Sequence, residues 1–267
     1  FAGAAQQGFF SVGEQLSVIM LVGAASLSNI FWKEISHAHT EGNIERTRDL
    51  YLKSTRTLYF ATCCMAYFVI AFSGEAISVL LGNKYAAATA CTALMIFATT
   101  YQAVGQINYA YLMATRKTKA NMWLTIPSTV TSSALAYFFL AGPDYAVPGL
   151  GLGATGLALK AAVIQAALAN LQMFYICRSN GWKNGFSFQL RYAAVFFALS
   201  VCAVWLTSFL PKPHYWFAVR LFAAGIIYGA GAIWYTCKMA GELGIDQSKF
   251  RTLFKELKNF ADLRRTA

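Results

Sequence analysis

"GLGLGATGLALKAAVIQAALANLQMFYIC", residues 149–177, admits two readings that lead to different folds. Gly151, Gly153 and Gly156 spell G-x-G-x-x-G, and Lys160 follows. A dinucleotide fingerprint needs a preceding strand, a βαβ unit and an acidic residue about 20 positions on. The preceding "FFLAGPDYAVPGL" (138–150) reads as a helix end and a Pro/Gly turn, and residues 170–179 hold no Asp or Glu. The run after the glycines is instead long and apolar enough to span a bilayer core, which takes about 20 residues of helix. On that reading the glycines let a helix start approach its neighbour closely, as small residues do in membranes. The stretch therefore predicts a membrane helix and excludes a nucleotide site.

Composition agrees. Of 267 residues, 57% are hydrophobic and only 12% charged, against about 25% charged in soluble domains. Mean hydropathy is +0.47. A net charge of +11 would suggest nucleic acid in a soluble domain. Here the cations sit at the ends of apolar runs, so no nucleic acid is expected. Cys63, Cys64, Cys91, Cys177, Cys202 and Cys237 show no metal-ligand spacing and are expected as free thiols. No Ser/His/Asp or paired-carboxylate arrangement is visible, and His37 and His39 lie away from any acid or cysteine cluster. Neither a cofactor, a metal nor an enzymatic activity is expected. The sequence begins at Phe1 with no charged segment before an apolar core, and reads as part of a longer chain.

Intervals free of Asp, Glu, Lys and Arg predict seven spans, at about 7–32, 55–74, 86–113, 120–141, 153–177, 191–210 and 215–237. Lys33, Arg46, Arg48, Lys53 and Arg56 follow the first span, Arg116, Lys117 and Lys119 the third, and Arg178, Lys183 and Arg191 the fifth. Seven more follow the last, so eighteen of the twenty-two Lys and Arg fall on one side. Only Lys84, Lys212 and Arg220 fall on the other, with Lys160 inside a span. By the positive-inside rule the first span starts outside and the C-terminus is cytoplasmic. The longest outer loop is 73–85, too short for a separate domain. Gly42 and Asn43 read as a turn, and 44–56 as the helical start of the second span.

Residues 238–267 form a cytoplasmic tail. From Asp246, which can cap a helix, Phe250, Leu253, Phe254, Leu257 and Phe260 recur at helical spacing among six Lys or Arg. This is a basic amphipathic helix suited to lying on membrane lipids.

The order of these features resembles the polysaccharide exporters, or O-antigen flippases, of the multidrug/oligosaccharidyl-lipid/polysaccharide exporter superfamily. The resemblance rests on "SGEAISVLLGNKYAAATACTALMIFATTYQAVGQINYAYLMATRKTKANMW" (73–123), where Ile77, Leu80 or Leu81, Gly82 and Tyr85 precede a long helix closing on Ala114 to Lys119. "QQGFFSVGEQLSVIM" (6–20) and "GLGATGLALK" (151–160) resemble the starts of the family's eighth and twelfth helices. The match covers residues 1–237. It implies an all-α polytopic fold in which seven spans correspond to helices eight to fourteen. An N-terminal helical bundle would then be a missing partner. Many relatives carry a proline where this chain has "SLSN" (26–29).

Site residues follow partly from the residues and partly from the resemblance. Lys160 lies about 10 Å into its span. It either snorkels to water or faces a cavity that receives the anionic carrier implied by the family. Glu14 has a comparable depth. The two form a pair or stand as independent interfacial charges. Gln102, Gln106 and Tyr109 share one helix face and suit a sugar-binding cavity wall, or else interhelical hydrogen bonds. Asn108 lies off that stripe. Gln165 and Gln172 share a face and read as interhelical contacts. Gly153 and Gly156 serve packing, Pro127 a kink, and Arg220 snorkels outward.

The resemblance implies translocation of a lipid-linked oligosaccharide across the bacterial inner membrane. A multidrug exporter of the same superfamily would need membrane carboxylates for ion coupling, and only Glu14 offers one. A glycosyl polymerase or ligase would be expected to have a large outer loop, and a membrane scaffold would not need the Gln102 and Gln106 stripe.

Overall fold

Backbone N–H and C=O groups within a bilayer core must be satisfied inside their own segment, which restricts spanning elements to helices or closed barrels. The computed structural model describes residues 3–143, 145, 147–182, 185–210 and 216–243. They form α1 (Gly3–Thr40), α2 (Ile44–Leu80), α3 (Ala88–Ala114), α4 (Thr118–Leu140), α5 (Gly153–Ser179), α6 (Ser187–Thr207) and α7 (Phe217–Met239), with a 3-10 turn at Asn83–Tyr85. There is no strand among the described residues. The fold is all-α, as expected. Among the described residues four helices, α2, α5, α6 and α7, are long and apolar enough to cross a membrane. That suits a multi-pass membrane protein, but it is four helices and not the expected seven. Two of the others are diluted by polar side chains: Thr92, Thr99, Thr100, Gln102, Gln106 and Asn108 in α3, and a Ser/Thr-rich middle in α4. α4 runs on through Pro127.

The end of the bundle that gathers Arg46, Arg48, Arg116, Lys117 and Arg178 closes in a repeated way. α1, α3 and α5 each finish with a backbone bond from beyond the helix to its last turn. Asn43 N–H donates to the Ala38 carbonyl (3.1 Å), Lys117 N–H to Leu112 (2.8 Å) and Trp182 N–H to Cys177 (2.8 Å). The residue before each donor is left-handed: Gly42 at φ +72°, Arg116 at +57° and Gly181 at +68°. This is the Schellman closure. It turns the chain into three helical hairpins with their turns at one end. Asn43 also caps α2, its Oδ1 accepting from Arg46 N–H at 2.9 Å. Lys117 Nζ reaches Ser179 Oγ (3.1 Å) and Asn180 Oδ1 (3.3 Å), tying the second turn to the third. Burial lowers the Lys117 pKa from its ordinary value.

The opposite end corrects two expectations. Residues 73–80, read as loop, continue α2 for two more turns. Ile77 is buried there and accepts the closing bond from Leu81, so packing prolongs the helix past Gly74. This extension carries Glu75. Arg220, expected to reach outward, is buried instead, and its Nη2 meets Glu75 Oε1 at 2.9 Å. The extra turns of α2 supply the carboxylate that makes burial of the guanidinium tolerable.

α3 lies at the centre, with α1, α2 and α5 around it, α4 on α5, and α6 and α7 on α2. Aromatic rings fill the α2–α6–α7 contact. Phe60 meets Tyr192 and Phe196 edge-on at 5.2 and 4.9 Å and stacks on Tyr235 at 5.8 Å. Such pairs add about 0.5–1.5 kcal/mol each beyond area burial. Past α7, Glu242 pairs with Arg191, and the Leu243 carbonyl accepts from Thr57 Oγ1 at 3.0 Å. The amphipathic helix expected from Asp246, together with Lys183 and Lys212, lies outside the described residues.

Arg116 is the non-glycine among the three left-handed closures. An L side chain there costs about 1–2 kcal/mol, partly offset because glycine loses more entropy on folding. Arg116→Gly is therefore expected to stabilise by about 0.5–1 kcal/mol, read as a raised unfolding midpoint in detergent. An unchanged or lowered midpoint would contradict the closure described.

Candidate functional site

The glycine-rich stretch does not form a phosphate cradle, because the N–H groups of residues 150–152 and 154 are already used. Leu150, Gly151 and Leu152 N–H donate to the Phe138, Ala141 and Phe139 carbonyls, all at 2.8 Å. These acceptors are the ones that the end of α4 would otherwise leave open. Ala154 N–H, at the start of α5, donates to Gln6 Oε1 of α1 at 3.0 Å. Gly153 is left-handed at φ +58°, and a Cβ there would lie 2.7 Å from that same oxygen. At Gly156 a Cβ would approach the Phe139 Cβ to 3.0 Å. The two glycines thus seat the start of α5 against α1 and α4.

A groove of about 490 Å³ opens between α1 and α3. Ala25, Ser28, Asn29 and Trp32 line it from α1, and Gln106, Tyr109, Ala110 and Met113 from α3. Its size falls in the range of small-ligand pockets, about 300–1,000 Å³. No Asp, Glu, Lys, Arg or His is among the residues lining it. Trp32 and Tyr109 each leave about half their surface exposed, 47% and 53%. Gln106 Oε1 is buried without a hydrogen-bond partner. Among the described residues, the side chains of Asn29 and Tyr109 also make no hydrogen bond within the protein. The groove therefore presents amide and hydroxyl groups together with two aromatic rings, and no charged side chain lines it.

Two residues of the expected stripe, Gln106 and Tyr109, line this groove; Gln102, one turn away on the same face, does not. Glu14 lies on α1 about 22 Å along the helix from Asn29. It is exposed, near the level where Gly13 packs on Thr92 of α3. Lys160 is half-buried on the face of α5 that carries exposed Val163, Leu171 and Phe174. The opposite face, with Ala154, Ala158, Ala162, Ala169, Met173 and Ile176, is buried. Lys160 thus points away from α3 and from the groove. Among the described residues Glu14 and Lys160 form no ion pair: sequence depth matched them, but their helix faces do not meet.

The α1 wall of the groove was missed. Ser26, Ser28 and Asn29 interrupt an apolar run, and Trp32 follows about one turn after Asn29. Asn108, off the stripe, links helices instead of lining the groove. It is fully buried, accepts from Tyr51 Oη (2.8 Å) and donates from Nδ2 to the Ala169 carbonyl (2.7 Å). One side chain so joins α2, α3 and α5. Gln172 Nε2 donates to Asn121 Oδ1 at 3.1 Å, linking α5 to α4 as an interhelical contact.

Membrane interhelical hydrogen bonds contribute about 0.6–1.7 kcal/mol. Tyr51→Phe is expected to destabilise by about 1 kcal/mol. Asn108→Ala should cost more, about 2 kcal/mol, because it strands a buried hydroxyl and a cavity remains. The double variant should cost less than the sum, measured by unfolding in detergent; additivity would mean that the two side chains do not interact. In comparisons with known protein families, curated proteins and solved structures, nothing matches this chain.

Proposed function

We propose that this chain is part of a transporter that flips a lipid-linked oligosaccharide across the bacterial inner membrane. In this reading all seven helices span, the basic end with the C-terminus is cytoplasmic, and a second helical bundle faces the groove to complete the pathway. The supporting observation is the groove itself: an uncharged wall of Asn29, Gln106 and Tyr109 beside Trp32, within a helical membrane bundle. Sugar hydroxyls need donors and acceptors, and the apolar faces of sugar rings need aromatic surface. The carrier lipid remains in the bilayer while the headgroup crosses.

A multidrug exporter of the same superfamily is less well supported. Its coupling carboxylate would have to be Glu14, which stands far from the groove. Among the described residues at that end, Glu75 is committed to Arg220.

The test is complementation in a bacterial strain lacking its own exporter. Cells expressing the full-length transporter that contains this chain are expected to restore surface polysaccharide, and Gln106→Ala or Trp32→Ala to reduce it several-fold at equal protein level. Persistent internal accumulation of lipid-linked intermediates, with the unaltered protein well expressed, would refute the reading for that substrate.

A further inference from the structure

We infer that the α1–α3 groove selects for uncharged sugar units and rejects acidic ones, with Asn29, Trp32 and Gln106 as the selecting residues. The inference rests on the reading of this chain as an oligosaccharide flippase. It goes further by assigning the sugar class.

The groove's chemistry carries the argument. Its polar lining is Ser28, Asn29, Gln106 and Tyr109, and no lining residue is a cation. A hexuronate carboxylate placed there would lose water without gaining a positive partner. Burying an unpaired charge is far more costly than burying a hydroxyl that finds a hydrogen bond. A neutral pyranose has the complementary surface. Its ring C–H faces can lie on Trp32 and Tyr109, which line the groove and are each about half exposed. Its hydroxyl edge can pair with the Asn29 amide, the Tyr109 hydroxyl and the amide NH2 of Gln106, none of which is hydrogen-bonded within the described protein.

The charged side chains within the bundle stand elsewhere. Lys160 lies on the far face of α5, Arg220 is paired with Glu75, and Glu14 sits about 22 Å up α1. Lys33, Arg116 and Lys117, which follow Trp32 and Met113 in sequence, belong to the basic end and are not among the lining residues either. Selectivity of this kind works by leaving the wrong ligand unpaired rather than by gripping the right one harder.

The test uses the full-length transporter that contains this chain, purified in nanodiscs, and three tritiated probes read by scintillation proximity. The first is a polyprenyl pyrophosphate bearing a neutral hexose–N-acetylhexosamine disaccharide. The second replaces the hexose with a hexuronate. The third is the bare polyprenyl pyrophosphate. The neutral probe is expected to bind about tenfold more tightly than the hexuronate probe, the worth of roughly one well-made polar contact.

Trp32→Ala and Gln106→Ala should abolish that preference by weakening the neutral probe alone, with binding of the bare carrier unchanged. Trp32→Phe and Gln106→Asn, which disturb packing less, should keep part of it. Asn29→Lys should reverse the preference by supplying a cation. Equal affinity of the unaltered protein for both saccharide probes would overturn the selectivity while leaving the flippase reading intact. Equal weakening of the bare carrier by the alanine variants would assign the groove to lipid and overturn it as well. Failure to bind either saccharide probe better than the bare carrier would overturn both.

Discussion

Asn108 fixes the position of three helices with one buried amide. In hydrocarbon, an unpaired amide or phenol is costly, so Tyr51, Asn108 and the Ala169 carbonyl must stay within hydrogen-bond reach. That sets the depth of α2 and α5 against α3 and the rotation of α3 about its own axis. The rotation has a direct consequence. Tyr109 follows Asn108 by about 100° of helix, and Gln106 precedes it by about 200°. With Asn108 held inward, both are turned toward the open side facing α1. The groove's polar wall is therefore a geometric result of the buried node.

The glycine-rich stretch obeys the same accounting of polar groups at a helix junction. The end of α4 leaves carbonyls open, and the start of α5 leaves N–H groups open. Residues 150–152 lay their donors on the α4 carbonyls, and Gln6 answers the N–H of Ala154. A Cβ at Gly149 would lie 2.5 Å from both the Phe138 and the Ala141 oxygens, so a side chain has no room there. What looks in sequence like a phosphate loop is a loop whose donors are spent on the protein.

Much of the helical layout was legible because its signals are one-dimensional. Lys and Arg collect where apolar runs end, and Gly42 marks a turn that Asn43 caps. The predicted start of the fifth span at residue 153 coincides with the first residue of α5. What was not legible depends on which helix faces meet. Glu14 and Lys160 have matching depth, but depth says nothing about rotation. Arg220 looked solvent-bound because its partner Glu75 lay in a segment read as loop. Gln106 and Tyr109 were found from their shared face, whereas Asn29 and Trp32 needed the α1–α3 register, which no pattern within either helix encodes.

The distribution of charge along the bundle follows from these positions. Arg220 and Glu75 meet at the end opposite the turns, and Glu14 and Lys160 lie in that same half. The groove lies in the other half, where Trp32 immediately precedes Lys33 and Met113 lies one turn before Arg116 and Lys117. An anionic headgroup approaching from the basic end would meet cations at the surface and then a neutral groove. Coulomb attraction draws charge to such a surface but is screened by salt beyond about 10 Å, and it gives no hold on an uncharged ring. Hydrogen bonds and aromatic contact act only at van der Waals range and hold that ring regardless of salt. On the proposed reading, attraction and recognition are thus separated in space, with the first assigned to the basic turns and the second to Asn29, Trp32, Gln106 and Tyr109.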